Sequence, residues 1–349
     1  MARLESLLSG LADKDAPPVE VALPLPDGGE ERFLVTESPV IEPGLAARYP
    51  RLRSFAGQGL DRPAATVRFS WTPRGLDALV LAPGKSFFVT PYRRGDRVHH
   101  LSYDHRDVPS SPWDCHAKRA PGSAGLADLA AKAGPYSSGR VLRIYRLALA
   151  ATGELTGQLG GTVDAVLSAF VAKVVEINAI FEREFAIRFV LVSANDRIIF
   201  QNPATDGYGE SGLNLDQQNQ LHLDERIGPE NYDIGHLITR LVDGGGAVIG
   251  TVCSSTFNAW GFSGFDTQIL VHEIGHHLGM GHTWNSLLCA GGDPSNPDSQ
   301  WSSQSAYEPG GGATIMRYPC GTDSYGGDLL QFHVHSFDQV LAYVSETGR

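Results

Sequence analysis

The stretch "VHEIGHHLGMGH", residues 271–282, holds four histidines, one glutamate and three glycines. His272 and His276 are four residues apart. On a helix that spacing puts both imidazoles on one face with Cβ atoms roughly 6 Å apart, within reach of one metal ion. Glu273 lies about 100° further round, where a carboxylate can approach a metal-bound water without ligating the metal, as a general base must. Three protein ligands leave a zinc ion one open position, and the metal lowers the pKa of a water held there to about 7. His282 is the candidate third ligand, because Gly279 can take a left-handed conformation that turns the chain back. His277 points elsewhere on the helix. With 12 histidines in 349 residues, H-E-x-x-H alone arises by chance about 0.02 times in such a chain. Coincidence is therefore a poor account of the longer pattern.

Upstream of this helix, "VLRIYRLALAAT" reads as a strand and "TVDAVLSAFVAKVVEINAIFEREF" as an amphipathic helix capped by Thr162, with Val163, Val166, Phe170, Val174, Ile177 and Phe181 three and four residues apart. "AIRFVLV" and "RIIF" follow as strands, which makes a βα(β) start to an α/β layer. "NYDIGHLIT" and "GAVIGTVC" supply two more strands. A last helix is expected to begin at Ser336, with Ser336 and Gln339 as a capping box and His333 and His335 on a preceding strand.

Further upstream, "FLVTESPVI", "ATVRFSW", "LDALVLAP", "KSFFVTPY" and "RVHHLSY" are β-prone runs separated by turn residues, an antiparallel pattern with Val67, Phe69 and Trp71 on one face. Residues 109–139 are rich in Pro, Ser, Gly and Ala, as a linker is. The expected organisation is a β-rich domain over 1–108, a linker or processing region over 109–139 and the metal-bearing domain over 140–349.

The motif and its surroundings resemble the metzincin zinc metalloendopeptidases, whose signature is H-E-x-x-H-x-x-G-x-x-H, and within them the bacterial reprolysin-like (adamalysin-like) peptidases. The likeness extends through "YRLALAATGE", "ATDGYGE", "NYDIGHLITRLVDGGGAVIGTVCSSTFNA", "AYEPGGGATIM" and "FHVHS", and the N-terminal part is similar to a propeptide in "PLPDGGEERFLVTESPV" and "FAGQGLDRPAATVRFS". One departure is Thr283, where reprolysins commonly carry Asp.

The resemblance implies an α+β fold: a small antiparallel β module, then a catalytic domain with a twisted mixed sheet, a long helix, the active-site helix and a smaller C-terminal subdomain with a terminal helix. It implies a Met-turn at Met316, a structural plug below the histidines, and makes Tyr318 a candidate for stabilising an oxyanion. "GGGAVIGTVC" becomes an exposed edge strand that pairs with extended protein or peptide substrates. Cys115 becomes a candidate for latency, its thiolate filling the open zinc position. Asp114 and His116 are alternatives there, and a linker cysteine, free or paired with Cys253, is the plainer reading. Cys289 and Cys320 become a candidate disulfide worth about 3 kcal/mol.

The remaining expectations are exclusions and alternatives. A net charge of −11 without Lys/Arg clusters argues against a nucleic-acid partner. No apolar run of about 18 residues indicates a membrane span. The start "MARLESLLSGLADKDAPP" is a poor signal peptide; the resemblance favours a secreted protein, and an intracellular one stays open. "DPSNPDS" and "ANDR" offer oxygen ligands to calcium, without an EF-hand spacing. Two other functions stand beside peptide-bond hydrolysis. A binding or adhesion protein would hold zinc in a permanently blocked site, and a zinc aminopeptidase would need a downstream Glu ligand in place of His282.

Overall fold

The computed structural model describes residues 2–12, 16–108, 113–119, 141–209, 214–286, 300–318 and 330–346. After a short helix α1 (Ala2–Ser9), the N-terminal half is an antiparallel meander. Its strands are β1 (Val19–Pro24), β2 (Glu30–Glu37), β3 (Arg53–Gly59), β4 (Thr66–Thr72), β5 (Gly75–Leu81), β6 (Phe87–Pro91) and β7 (His100–Asp104), each pairing with the next, with helix α2 (Pro43–Arg48) between β2 and β3. The sheet curls far enough that the Ser102 hydroxyl on β7 donates to the Pro24 carbonyl on β1 at 2.8 Å. Alternation sorts the side chains: Val67, Phe69, Trp71, Leu76, Ala78 and Val80 join Phe33, Phe55 and Phe87 in one core, which Leu8 and Leu11 complete.

The second half opens with β8 (Lys118–Arg119), β9 (Arg143–Ala151) and helix α3 (Gly153–Leu159), followed by the long helix α4 (Val163–Phe185) and β10 (Ile187–Leu191). The Thr162 hydroxyl accepts from the Ala165 amide at 3.2 Å, and Ala186 closes α4 in a left-handed conformation, as the pattern of its apolar residues and cap requires. Next come α5 (Leu215–Arg226), β11 (Ile234–Ile238), β12 (Gly245–Ile249), β13 (Gly261–Ser263) and the motif helix α6 (Thr267–His277). The last elements are β14 (Trp284–Asn285), β15 (Glu308–Pro309) and α7 (Val334–Glu346).

The second sheet runs β10-β9-β11-β13-β12-β8. It is mixed: β12 pairs antiparallel with β13, while β8 lies parallel to β12 on the outer edge. Helix α4 sits between the two sheets and is buried around most of its circumference. Leu79 and Leu81 on the outer face of β5, with Val40, Ile41, Leu45 and Leu52, belong to the same apolar cluster as Phe170, Val174, Ile177 and Phe181 of α4. The first sheet is therefore packed by one face on the helix of the second half.

Two local expectations are corrected. "RIIF" is not a full strand: Arg197 and Ile198 lie in a 3-10 turn over Asn195–Ile198, and only Ile199 makes an isolated parallel bridge, to Ala151 on β9. The Asn195 side chain takes the strand's place beside β9: its Oδ1 accepts from the Leu149 amide at 2.9 Å and its Nδ2 donates to the Leu149 carbonyl at 3.0 Å. The last helix begins at Val334, not Ser336. His333 does the capping, its Nδ1 accepting from the His335 amide at 3.1 Å, so these two histidines belong to a helix start and not to a strand. Gln339 is turned away, and its Oε1 accepts from the Gly281 amide at 3.1 Å, beside the third motif histidine.

Candidate metal centre and cleft

Helix α6 starts at Asp266, whose carboxylate accepts from the Gln268 and Ile269 amides, and it presents His272, Glu273 and His276 in its last turns. Gly279 has φ +90°, the left-handed conformation that lets the chain leave the helix and bring His282 back over it. All three histidines are buried. Each donates Nδ1–H to a backbone carbonyl: His272 to Ile315 at 2.7 Å, His276 to Met280 at 2.8 Å and His282 to Gln300 at 2.9 Å. A carbonyl can only accept, so Nδ1 carries the proton and each Nε2 turns a lone pair inward. His272 Nε2 lies 3.1 Å from His282 Nε2 and 3.0 Å from His276 Nε2. Burial lowers the pKa of all three rings, to about 4 for His282, which keeps the lone pairs free.

Three lone pairs converging at 3 Å repel one another unless a cation lies between them. Tetrahedral zinc with bonds of about 2.05 Å needs ligand atoms roughly 3.3 Å apart, so this donor set fits such an ion. The three carbonyls are the partners that orient metal-binding imidazoles. They were not legible in the sequence, because a backbone acceptor carries no residue signature.

Cys115 joins this group. Its thiol and the three imidazoles offer ligand atoms all within 4.8 Å of one another, with Sγ 3.4 Å from His276 Nε2. It is buried and not in a disulfide, and burial followed by the nearby Glu273 pushes its pKa up. Glu273 is fully buried, with Oε2 4.0 Å from the thiol and Oε1 without a hydrogen bond among the described residues. Burial raises its carboxyl pKa well above the ordinary range.

The alternatives at this position separate by geometry. Asp114 points to Tyr318, whose hydroxyl donates to Oδ1 at 3.0 Å, and the His116 amide donates to the Gly245 carbonyl at 2.9 Å. The Gly245 amide in turn donates to the Asp114 carbonyl at 3.0 Å. Residues 113–119 thus lie along β12 as an added strand, and the edge expected to be exposed is covered. Two glycines permit this approach: a Cβ on Gly244 would sit 1.9 Å from the Asp114 carbonyl oxygen, and one on Gly245 would sit 2.6 Å from Glu273 Oε1.

The wall of the cleft is aromatic. Trp284 and Tyr318 pack with Cys115, and Trp113, Ala117 and Trp301 pack against them. The Trp113 ring meets His272 edge-on at 4.9 Å. Tyr318 stands 6.0 Å from the His282 ring, and burial, then Asp114, pushes its pKa up. Met316 is buried beneath α6, its sulfur 2.8 Å from where a Cβ on Gly275 would stand.

Thr283 is tied in another way. Its hydroxyl donates to Glu308, which also accepts from the Thr314 hydroxyl at 2.6 Å and the Ala313 amide at 2.8 Å, so one buried carboxylate joins the third histidine's loop to the Met316 turn. His277 faces away from the cluster, with Nδ1 2.6 Å from the Thr251 hydroxyl oxygen. Cys289, Cys320 and the "DPSNPDS" loop lie outside the described residues, and the Asp196 oxygens of "ANDR" are engaged by Arg48 at 2.9 Å.

The profile of the reprolysin-like metallo-peptidase family M12B matches residues 141–328, more than half of the chain. The chain belongs to that family. It is thus a metallopeptidase, a hydrolase, as the zinc signature implies. No curated protein matches it. Among solved structures, it is similar to metalloproteinase-II from Bacteroides fragilis at 11% identity and TM-score 0.48, over 97% of this chain and 94% of the other. A weaker likeness, to a chaperone-substrate complex, has 12% identity and TM-score 0.34 over 76% and 38% of the two chains. Among the described residues no helix is long and apolar enough to cross a membrane.

Proposed function

We propose that the chain is a zinc-dependent endopeptidase kept latent by its own residues 113–119. The observation that carries this is the Cys115 thiol seated among three imidazole lone pairs while the same segment occupies the β12 edge. His272, His276 and His282 would hold the zinc ion, and Cys115 its remaining position. When bound, zinc supplies Lewis acidity and acidifies a water.

The chain's residues do the rest. With the segment displaced, the Gly245 amide and carbonyl are released to pair with the main chain of an extended substrate, which fixes its course without reading its sequence. Glu273 holds a proton taken from the attacking water and delivers it to the leaving amine, and its burial suits a base that must also act as an acid. Tyr318, freed from Asp114, supplies a hydroxyl beside the metal site for the developing negative charge. Trp284 and Tyr318 form an apolar wall that excludes water. A zinc aminopeptidase finds no support, since His282 and not a glutamate completes the triad.

The test compares full-length wild type, Cys115→Ala and Cys115→Ala/Glu273→Gln on a quenched casein substrate. Cys115→Ala should raise turnover at least about tenfold, because removing one ligand worth 1.4 kcal/mol shifts the closed population by that factor. The double variant should keep one equivalent of zinc and lose activity by about 1,000-fold, and a chelator should abolish what Cys115→Ala gained. Zinc binding without turnover in Cys115→Ala would favour a blocked binding protein instead.

A further inference from the structure

Beyond the histidine cluster, a second buried group meets the segment that covers the β12 edge. Asp216 lies in the first turn of α5, its side chain only 4% exposed. Its Oδ1 accepts from the Gln217 amide at 2.9 Å, and its Oδ2 accepts from Lys118 Nζ at 3.2 Å. Lys118 is by contrast 55% exposed. The carboxylate is built into α5, while its cation arrives on the segment that covers the edge.

The ladder gives the position. Cys115 bridges Gly245 and Lys118 pairs with Val248, three residues further along β12. At about 3.3 Å per residue that is roughly 10 Å from the metal site, and the odd spacing turns the side chain to the opposite face. That face is where α5 packs: Leu215 and Leu223 share a cluster with Leu237 and Phe262, whereas α6 buries Val271 and Ile274 on the other side. An acid at a helix N-terminus serves the dipole equally well when exposed, so that role does not account for burying this one. Without Lys118, Oδ2 loses its counter-ion.

We propose that Asp216 selects a lysine or arginine side chain in the peptide that replaces residues 113–119 on β12, three residues from the one facing the metal site. This rests on the proteolytic reading of the cleft. The recognition chemistry is charge pairing at a buried carboxylate, available to either basic side chain.

A randomised peptide library digested by zinc-loaded, full-length Cys115→Ala, with cleavage sites read by mass spectrometry, tests this. Lys and Arg should exceed Glu by about tenfold or more at one position three residues from the scissile bond, and the side on which it falls reports the direction of the bound chain. Adding Asp216→Asn should bring the ratio close to one, and Asp216→Lys should invert it. An absent preference, or one that survives Asp216→Asn, overturns the proposal.

If Cys115→Ala cleaves nothing, the proteolytic reading has failed, and the rate of Cys115 alkylation in the wild-type background still reports on the site. Lys118→Asp should speed labelling, and Lys118→Asp/Asp216→Lys should restore the slow rate. Failure of the swap to restore it overturns the role of Asp216 separately.

Discussion

The N-terminal part of the chain touches the catalytic half in two ways that differ in kind. The meander is joined to α4 through a continuous apolar cluster in which Leu79 and Leu81 are essentially inaccessible to solvent. Residues 113–119 are held by a short ladder to β12 that includes two backbone hydrogen bonds to Gly245, by Asp114 to Tyr318, Lys118 to Asp216 and the thiol at the metal site, and by only a small aromatic cluster around Cys115. Apolar burial is worth roughly 25 cal/mol per Å² and is lost only by unfolding. Each polar contact is worth about 1 kcal/mol net and trades freely with water or a substrate. The meander thus acts as part of the scaffold, and the short segment as its exchangeable element.

The comparison breaks most sharply if the meander can be detached. Leu79→Ala should lower stability by about 2–5 kcal/mol, and calorimetry should still show one transition that carries both sheets. A separate early transition, with α6 still folded and zinc still bound, would make the meander an independent unit. Cys115→Ala, at the other contact, should leave that transition nearly unmoved while activity rises.

The next effect sharpens the comparison at a polar spot in that contact. Between the meander and α4 is a cavity of about 290 Å³ lined by Arg74, Asp77, Lys173, Glu176 and Thr267. Burial pushes the Asp77 carboxyl up to about 6, with Arg74 opposing only in part. Because the folded pKa lies above the unfolded one near 3.8, the folded state binds the extra proton between these values. Stability on this account is fully present below about pH 4 and is lost as pH rises through about 6, by about 2–3 kcal/mol. Asp77→Asn should flatten that stretch of a chemical-denaturation profile and stabilise the protein at pH 7. An unchanged slope would place the acid-linked stability elsewhere.

What the sequence made legible follows from which information is local. The motif's spacing, the left-handed Gly279, the Thr162 cap and the α4 periodicity are short-range patterns, and the structure reproduces them. "RIIF" misleads because Asn195, an ordinary turn residue in sequence, bonds both polar groups of Leu149 some 46 residues away. The Ser336 box misleads because Gln339 finds a better partner in Gly281. Cys115 is recognisable as a thiol on the right side of the chain, but its course along β12 depends on Gly244 and Gly245 leaving room for a distant backbone. Asp216 gives no signal at all, since its partner is 98 residues away.

The smallest effect tests how far the exchangeable segment also guards the chemistry. The Tyr318 hydroxyl donates to Asp114, so under the proposed latency the segment holds this group away from any substrate. In the Cys115→Ala background, Tyr318→Phe should lower kcat about tenfold with little change in KM, as loss of a hydrogen bond made in the transition state does. Asp114→Ala in the same background should instead raise activity, because it frees the hydroxyl and removes one anchor of the segment. Both variants delete the same hydrogen bond, so a purely structural bond would move activity the same way in each. Opposite signs assign the hydroxyl to the reaction and the carboxylate to restraint, and equal signs would return Tyr318 to the aromatic wall.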